Sequence, residues 1–149
     1  MSLIDYIEDD QTYQFTQYMN LIKTEEDKNL FERFAYGVCD PQIKYKNEKQ
    51  QKKMIILTII QLCQRNKSVT FDKIQQACYI NSRIEIEQLL IDLIQRELII
   101  GSIDDQKGCL NIQRCISRDV RKSDIPEMKN QIEIMYQRVK HLKEQLKKQ

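Results

Sequence analysis

The hydrophobic spacing of the chain changes once, from a helical period to a strand period, within residues 53–116. Apolar residues recur every three or four positions as far as residue 94, and two β-rich runs follow, Leu98–Asp104 and Leu110–Ile116. The segment between the two runs contains Asp and Gly, which suit a hairpin turn. Three helices followed by a two-stranded hairpin is the order of a winged helix. We therefore predict a winged-helix subdomain over residues 53–117.

Each helix of this subdomain has its own boundary signals. We predict a helix at Met54–Cys63, because polar residues on both sides extend the segment beyond strand length. The segment is apolar almost all round, which predicts that this helix lies in the middle of the core. A turn is predicted at Asn66–Val69, and Thr70 is expected to cap a short second helix. The third helix is predicted from Ser82 to Leu98, with a capping box at its start.

The charge of the third helix argues against DNA as its partner. A helix-turn-helix protein that reads DNA places Arg and Lys against phosphates and base edges. Residues 82–98 carry four acidic and two basic side chains, so a duplex would repel them. We expect this module to contact protein. A nucleic-acid-binding winged helix is the alternative, supported by the basic stretch Lys44–Lys53 and the basic C-terminal tail.

Residues 1–52 are predicted to form a short helical cap that precedes the winged helix. Apolar residues in the segment Phe15–Ile22 repeat at i, i+3, i+4 and i+7, which predicts one amphipathic helix. A second helix is expected to begin after Thr24, a capping residue, and to end at Gly37. The predicted fold class is therefore mostly α with a small β wing.

Residues 118–149 are predicted to form a linker and one long helix. Asp124 and Pro126 suit the first turn of that helix, and seven apolar residues follow at spacings of 3, 4, 3, 4, 3 and 4. This heptad seam comprises Ile125, Met128, Ile132, Met135, Val139, Leu142 and Leu146. A narrow seam fits a partner helix in a bundle made by several chains. The alternatives are a helix that folds back on its own domain and a self-associating coiled-coil adaptor.

No group of residues in the sequence predicts catalysis, a cofactor site or a metal site. The one histidine, His141, has Lys140 and Leu142 as neighbours, and three glycines are too few for a Gly-rich phosphate loop. We therefore expect a protein that is not an enzyme, has no cofactor and takes no small-molecule substrate.

The pattern of cysteines and the length of the apolar runs indicate the cellular compartment of the protein. The five cysteines contain no Cys-x-x-Cys pair, and we expect reduced thiols in the cytoplasm and nucleus. Cys109 and Cys115 are expected to be able to face each other across the hairpin. We expect no signal peptide and no membrane partner, because the longest apolar stretch, Met54–Ile60, is much too short to span a bilayer.

Four segments of the chain carry a resemblance to a known family. They are Phe-Ala-Tyr-Gly-Val at 34–38, Leu-Ile-Ile-Gly-Ser-Ile-Asp at 98–104, Leu-Asn-Ile at 110–112 and Ser-Arg-Asp-Val-Arg-Lys-Ser-Asp-Ile at 117–125. Their order and spacing resemble the PCI domain of the subunit-seven family of the COP-nine signalosome, over about Phe15–Val139. The N-terminal helical part is shorter than in that family. PCI subunits of the proteasome lid and of translation initiation factor three have the same type of domain.

This resemblance implies a scaffold whose partners are other PCI subunits. Winged helices of the family associate side by side through the sheet edge, which implies partner binding by Leu98, Ile99, Ile100, Gly101 and Ser102. Their terminal helices gather in a bundle, which the heptad seam would enter. Arg118, Arg121 and Lys122 would lie at the joint between wing and long helix, or would simply be solvated charge. The signalosome removes a ubiquitin-like modifier from cullins, and its metalloprotease centre lies in a different subunit.

Overall fold

Six α-helices and three short strands build the chain, and the computed structural model describes all of residues 1–149. The helices are α1 (Leu3–Glu8), α2 (Glu25–Tyr36), α3 (Glu48–Arg65), α4 (Phe71–Cys78), α5 (Arg83–Gln95) and α6 (Ile125–Lys147). The strands are β1 (Ser68–Thr70), β2 (Ile99–Asp104) and β3 (Cys109–Cys115), and 3₁₀ helices occupy Thr16–Leu21 and Lys122–Asp124. The mostly α fold with a small β wing is confirmed.

The chain divides into two compact units, Met1–Asp119 and Val120–Gln149. The first unit holds α1 to α5 and the sheet, and the second holds the short 3₁₀ turn and α6. None of the helices combines the length and the apolar character that a membrane crossing requires.

Helix α3 is the centre of the first unit, as its all-round apolar sequence predicts. Met54, Leu57, Ile59 and Ile60 are completely buried, so the helix faces core on nearly every side. The predicted caps of its neighbours are also confirmed. The side-chain oxygens of Thr24, Thr70 and Ser82 each accept a hydrogen bond from the backbone N–H three residues later.

The sheet has three strands in the order β1-β3-β2, one more than the hairpin predicted from sequence. Ser68–Thr70 pairs antiparallel with Cys109–Asn111, whereas a turn was predicted there. The prediction was wrong because a three-residue strand is too short to display a period of two; only the burial of Val69 marks its inner face. Strand β3 therefore lies in the middle of the sheet, and β2 lies at an edge with one side unpaired.

The expected approach of Cys109 and Cys115 across the hairpin is wrong. Both residues lie in β3, at its two ends, where Cys109 pairs with Asp104 and Cys115 pairs with Ile99. Since the rise is about 3.3 Å per residue, six residues along one strand separate the two α-carbons by about 20 Å. No disulfide can join them.

The amphipathic α-helix predicted from Phe15 to Ile22 is instead a 3₁₀ helix over Thr16–Leu21. Its apolar residues do not form one buried face, because Phe15 is fully buried whereas Met19 is exposed. Helix α1 precedes it and buries Leu3 and Ile7; it went unpredicted because six residues give too short a pattern.

The register between β2 and β3 shifts between Ile100 and Gly101, where Gln113 of β3 is the extra residue of a β-bulge. A β-carbon built at position 101 would lie 2.1 Å from the carbonyl oxygen of Asn111 on β3. Only a residue without a side chain lets the two strands approach this closely. The bulge thus fixes which side chains of the edge strand face the core.

We predict that Gly101→Ala destabilises the protein by about 2 kcal/mol, because the backbone of β3 must move to accommodate the methyl group. Urea denaturation followed by circular dichroism measures the change. Ser102→Ala, at the next and exposed position, is the control and should stay within about 0.5 kcal/mol of the wild type. Equal stability of the two variants would contradict the close approach of the strands.

Candidate interaction surfaces

Strand β2 presents one free edge and an alternating set of side chains. Ile99 is 1% exposed and points into the core, whereas Ile100 is 38% exposed and Ser102 is also exposed. Leu98 lies before the strand, and its backbone is already used: its N–H donates to the carbonyl of Leu93 and its carbonyl accepts from Ile116. What this edge offers a partner is therefore the unpaired backbone of β2 together with Ile100 and Ser102.

Helix α6 is 23 residues long, and none of its residues is buried. All seven side chains of the predicted heptad seam are exposed, from 44% at Met128 to 71% at Leu146. Tyr136 and Ile134 are exposed as well, and the spacing rule did not select them because they lie outside the a and d positions. The second unit thus carries a contiguous apolar stripe with no cover of its own.

The basic residues of the third helix of the winged subdomain are held in ion pairs within the first unit. The Arg83 side chain donates to Glu87 (2.8 Å) and to Asp105 of the hairpin turn (2.6 Å). Arg96, which follows α5, donates to Asp92 (2.7 Å) and to the hydroxyl of Tyr13 (2.9 Å). Both guanidinium groups are paired with carboxylates, which offset their positive charge at this helix.

Arg118 is a buried structural residue, so the alternative that it is simply solvated charge is wrong. Arg118 is only 6% exposed. Its guanidinium donates hydrogen bonds to the carbonyls of Gly37 (2.6 Å) and Phe34 (2.9 Å) and to the side chain of Gln61 (2.6 Å). Phe34 and Gly37 supply carbonyls at the C-terminal end of α2, where the helix dipole is negative. Burial lowers the pKa of Arg118 to about 10, with Asp119 opposing the shift.

The two residues beside Arg118 hold the N-terminal segment. Asp119 accepts hydrogen bonds from the backbone N–H groups of Phe15 (2.7 Å) and Thr16 (2.9 Å), at the start of the first 3₁₀ helix. The side-chain amide of Gln14 donates to the carbonyl and hydroxyl oxygens of Ser117. The Ser-Arg-Asp triplet therefore ties the segment after the wing to residues about 100 positions earlier.

A second buried cation completes this anchoring. The ammonium group of Lys53 donates to the carbonyls of Asp9 (2.6 Å) and Thr12 (2.8 Å) and lies 4.1 Å from the centre of the Tyr13 ring. Burial lowers the pKa of Lys53 to about 8. Its carbonyl partners are the acceptors that a buried ammonium needs, so α3 holds the chain that follows α1.

The remaining polar residues do not form a metal centre. No three side chains among His, Cys, Asp and Glu come together as ligands. His141 lies on α6, where a ring nitrogen is 3.0 Å from the amide of Gln145.

The chain belongs to the PCI domain family, because the model of that family, the PCI domain, matches residues 5–114. The matched range begins within α1 and ends one residue before the end of β3, so it covers nearly all of the helical cap and the winged helix. Among curated proteins, the chain is similar to COP9 signalosome complex subunit 7 of Dictyostelium discoideum. The two are 31% identical over 121 residues, which covers 73% of this chain and 46% of that relative. The chain thus spans less than half the length of the relative it matches, and the family resemblance seen in the sequence is confirmed.

We predict that Arg118→Met destabilises the protein by about 3 kcal/mol, because the buried acceptors on α2 and on Gln61 lose their donor. Chemical denaturation of the full chain measures the loss. Lys122→Met, which removes an exposed positive charge four residues later, should change stability by less than about 0.5 kcal/mol. If both variants unfold at the wild-type midpoint, Arg118 does not hold the end of α2.

Proposed function

We propose that this protein is a non-catalytic scaffold subunit of a COP9 signalosome-like complex, which removes a ubiquitin-like modifier from cullins. The observation that carries the proposal is the exposed heptad seam of α6 in a chain of the PCI family. Catalysis is assigned to a separate metalloprotease subunit. Residence in the cytoplasm and nucleus is part of the proposal, and it is supported by five cysteines that form no disulfide.

The seven apolar side chains of the seam are costly to leave in water. Burial of one Ile, Leu, Val or Met side chain is worth about 1.5–3 kcal/mol, so seven of them represent on the order of 10 kcal/mol before the costs of association are subtracted. The seam repeats every 3.5 residues, which is the period that another helix can follow along its whole length. A bundle with helices of neighbouring subunits satisfies both conditions.

The free edge of β2 supports a second contact in the same assembly. An unpaired edge strand is a template for another strand or for a neighbouring winged helix. Because β2 turns Ile99 into the core, a partner at this edge would meet backbone groups and the outward side chains of Ile100 and Ser102.

The alternatives differ in how much support they have. A PCI subunit of the proteasome lid or of translation initiation factor three would use the same surfaces, but the curated relative favours the signalosome. Nucleic-acid binding is not favoured, because Arg83 and Arg96 are engaged with Glu87, Asp92 and Asp105.

The first test concerns the seam. The tagged full chain should co-purify from cells with other PCI subunits and a metalloprotease, identified by quantitative mass spectrometry. Ile132→Asp should lower their recovery roughly 100-fold, since it removes an apolar contact and places a carboxylate in the bundle.

The matched control is Asn130→Asp, which adds the same charge two residues away on the opposite face of α6. It should recover the same subunits as the wild type. Recovery of nucleic acid without PCI subunits, or equal loss in the two variants, would contradict the proposed role of the seam.

The second test concerns the β2 edge. We expect Ile100→Lys to weaken association with a neighbouring PCI subunit by about tenfold, because a lysine on an edge strand opposes pairing with another strand. Gln113→Lys places the same charge on the exposed face of the central strand β3 and should have no such effect. Binding of purified subunits by calorimetry distinguishes the two, and identical affinities would exclude the edge as a contact.

A further inference from the structure

Two cysteines from separate parts of the first unit meet over one face of α3. Cys39 follows the end of α2, and its N–H donates to the hydroxyl oxygen of Thr58 (2.9 Å). Cys78 is the last residue of α4, and its sulfur lies 3.9 Å from the carbonyl oxygen of Ile55, three residues before Thr58 on α3. The two side chains line the same cavity, and each affects the pKa of the other. Nothing in the scaffold role requires this pair.

A cavity of about 500 Å³ opens onto the pair and gives small molecules access to it. Cys39 and Cys78 both line the cavity, and Cys39 is half-buried whereas Cys78 is 5% exposed. Tyr45, Ile55 and Tyr79 form part of the wall. The charged residues at the cavity are Asp40, Lys44 and Glu48. Cys39 is therefore the sulfur that a reagent reaches first.

The surroundings shift the pKa values of the two thiols in opposite directions. The neighbouring Cys78 is the largest cause that lowers the pKa of Cys39 to about 7. The Thr58 hydroxyl and the charge of Arg118 also lower this pKa, and burial opposes them. The neighbouring Cys39, together with burial, raises the pKa of Cys78. Cys39 is therefore the thiol of the pair that loses its proton first as the pH rises, and Cys78 keeps its own.

The hydroxyl group of Thr58 can stabilise the thiolate form of Cys39. Its hydroxyl oxygen lies 2.8 Å from the carbonyl oxygen of Met54 and 3.3 Å from the sulfur of Cys39. A hydroxyl has a single proton, so it can donate to only one of these acceptors at a time. Loss of the Cys39 proton makes its sulfur the stronger acceptor, and the hydroxyl can then turn toward the thiolate.

We propose that Cys39 and Cys78 form a thiol modification site, in which hydroperoxides oxidise Cys39 and Cys78 resolves the product into a disulfide. The Cys39 thiolate attacks a peroxide oxygen; an S–O bond forms, the O–O bond breaks, and the leaving hydroxide takes a proton to become water. The sulfur of Cys78 then gives up its proton and attacks the sulfur of Cys39, and the hydroxyl leaves with that proton as a second water. In sum, two thiols and hydrogen peroxide give one disulfide and two waters.

The other three cysteines lack this environment. Burial raises the pKa of Cys63 to about 12 and also raises the pKa of Cys115. Cys109 is buried at the start of β3. Cys115 is half-buried, as Cys39 is, and therefore serves as the matched control for access.

The site is tested on the full chain in two measurements. At pH 7, iodoacetamide should alkylate Cys39 on the order of ten times faster than Cys115, with half of the maximal rate near pH 7. After treatment with hydrogen peroxide, non-reducing tryptic mass spectrometry should find peptide 34–44 joined to peptide 74–83, which contain Cys39 and Cys78 and no other cysteine. The joined pair should be the main oxidised product and should separate on reduction.

Variants separate the two roles. Cys78→Ser should leave oxidised Cys39 unresolved, as a sulfenic acid trapped by dimedone, while Cys115→Ser should form the same disulfide as the wild type. Circular dichroism checks that each variant is folded. The peptide mapping of the wild type tests the disulfide even if a variant does not fold. Oxidation of Cys63, Cys109 or Cys115 before Cys39, or over-oxidation of Cys39 with Cys78 still reduced, would overturn the proposal.

Discussion

The guanidinium of Arg118 is the interaction on which the first unit depends. A buried cation needs acceptors, and this one finds two carbonyls near the end of α2 and the side chain of Gln61 on α3. The segment after the wing is therefore drawn against two helices that precede the wing. Once Arg118 is fixed, Asp119 and Ser117 lie where they can bind Phe15, Thr16 and Gln14. One charged side chain thus joins the helical cap to the winged helix.

Several cations of the first unit make their contacts within that unit, and this bears on which surfaces partners could use. Arg83, Arg96, Lys53 and Arg118 all donate hydrogen bonds within the first unit. Two other surfaces are apolar or are made of backbone, namely the seam of α6 and the edge of β2. Such surfaces gain free energy from burial and strand pairing. Both surfaces are the ones that the proposed scaffold role uses.

Sequence reasoning succeeded where the signal is local. The caps at Thr24, Thr70 and Ser82 and the central helix around Met54–Cys63 depend on residues a few positions apart. It left two interpretations of Arg118 open and did not find its partners, which are 57, 81 and 84 residues away, because an isolated arginine in a polar segment has the same local pattern as a solvated one. Strand β1 was missed for a related reason, since its only support is pairing with β3, about 40 residues later. The heptad seam could be predicted because the spacing of its apolar residues is visible in the sequence. The sequence does not show which helix packs against it.

The proposed thiol site and the Arg118 contact meet at one place in the fold. Arg118 binds the carbonyl of Gly37, and Cys39 lies two residues further along the chain. The guanidinium charge also lowers the pKa of the Cys39 thiol, so the residue that fixes the end of α2 contributes to the reactivity of that thiol. A disulfide from Cys39 to Cys78 would add a covalent link between the end of α2 and the end of α4. Oxidation would then act on the same junction that Arg118 holds, and it would leave the edge of β2 and the seam of α6 chemically unchanged.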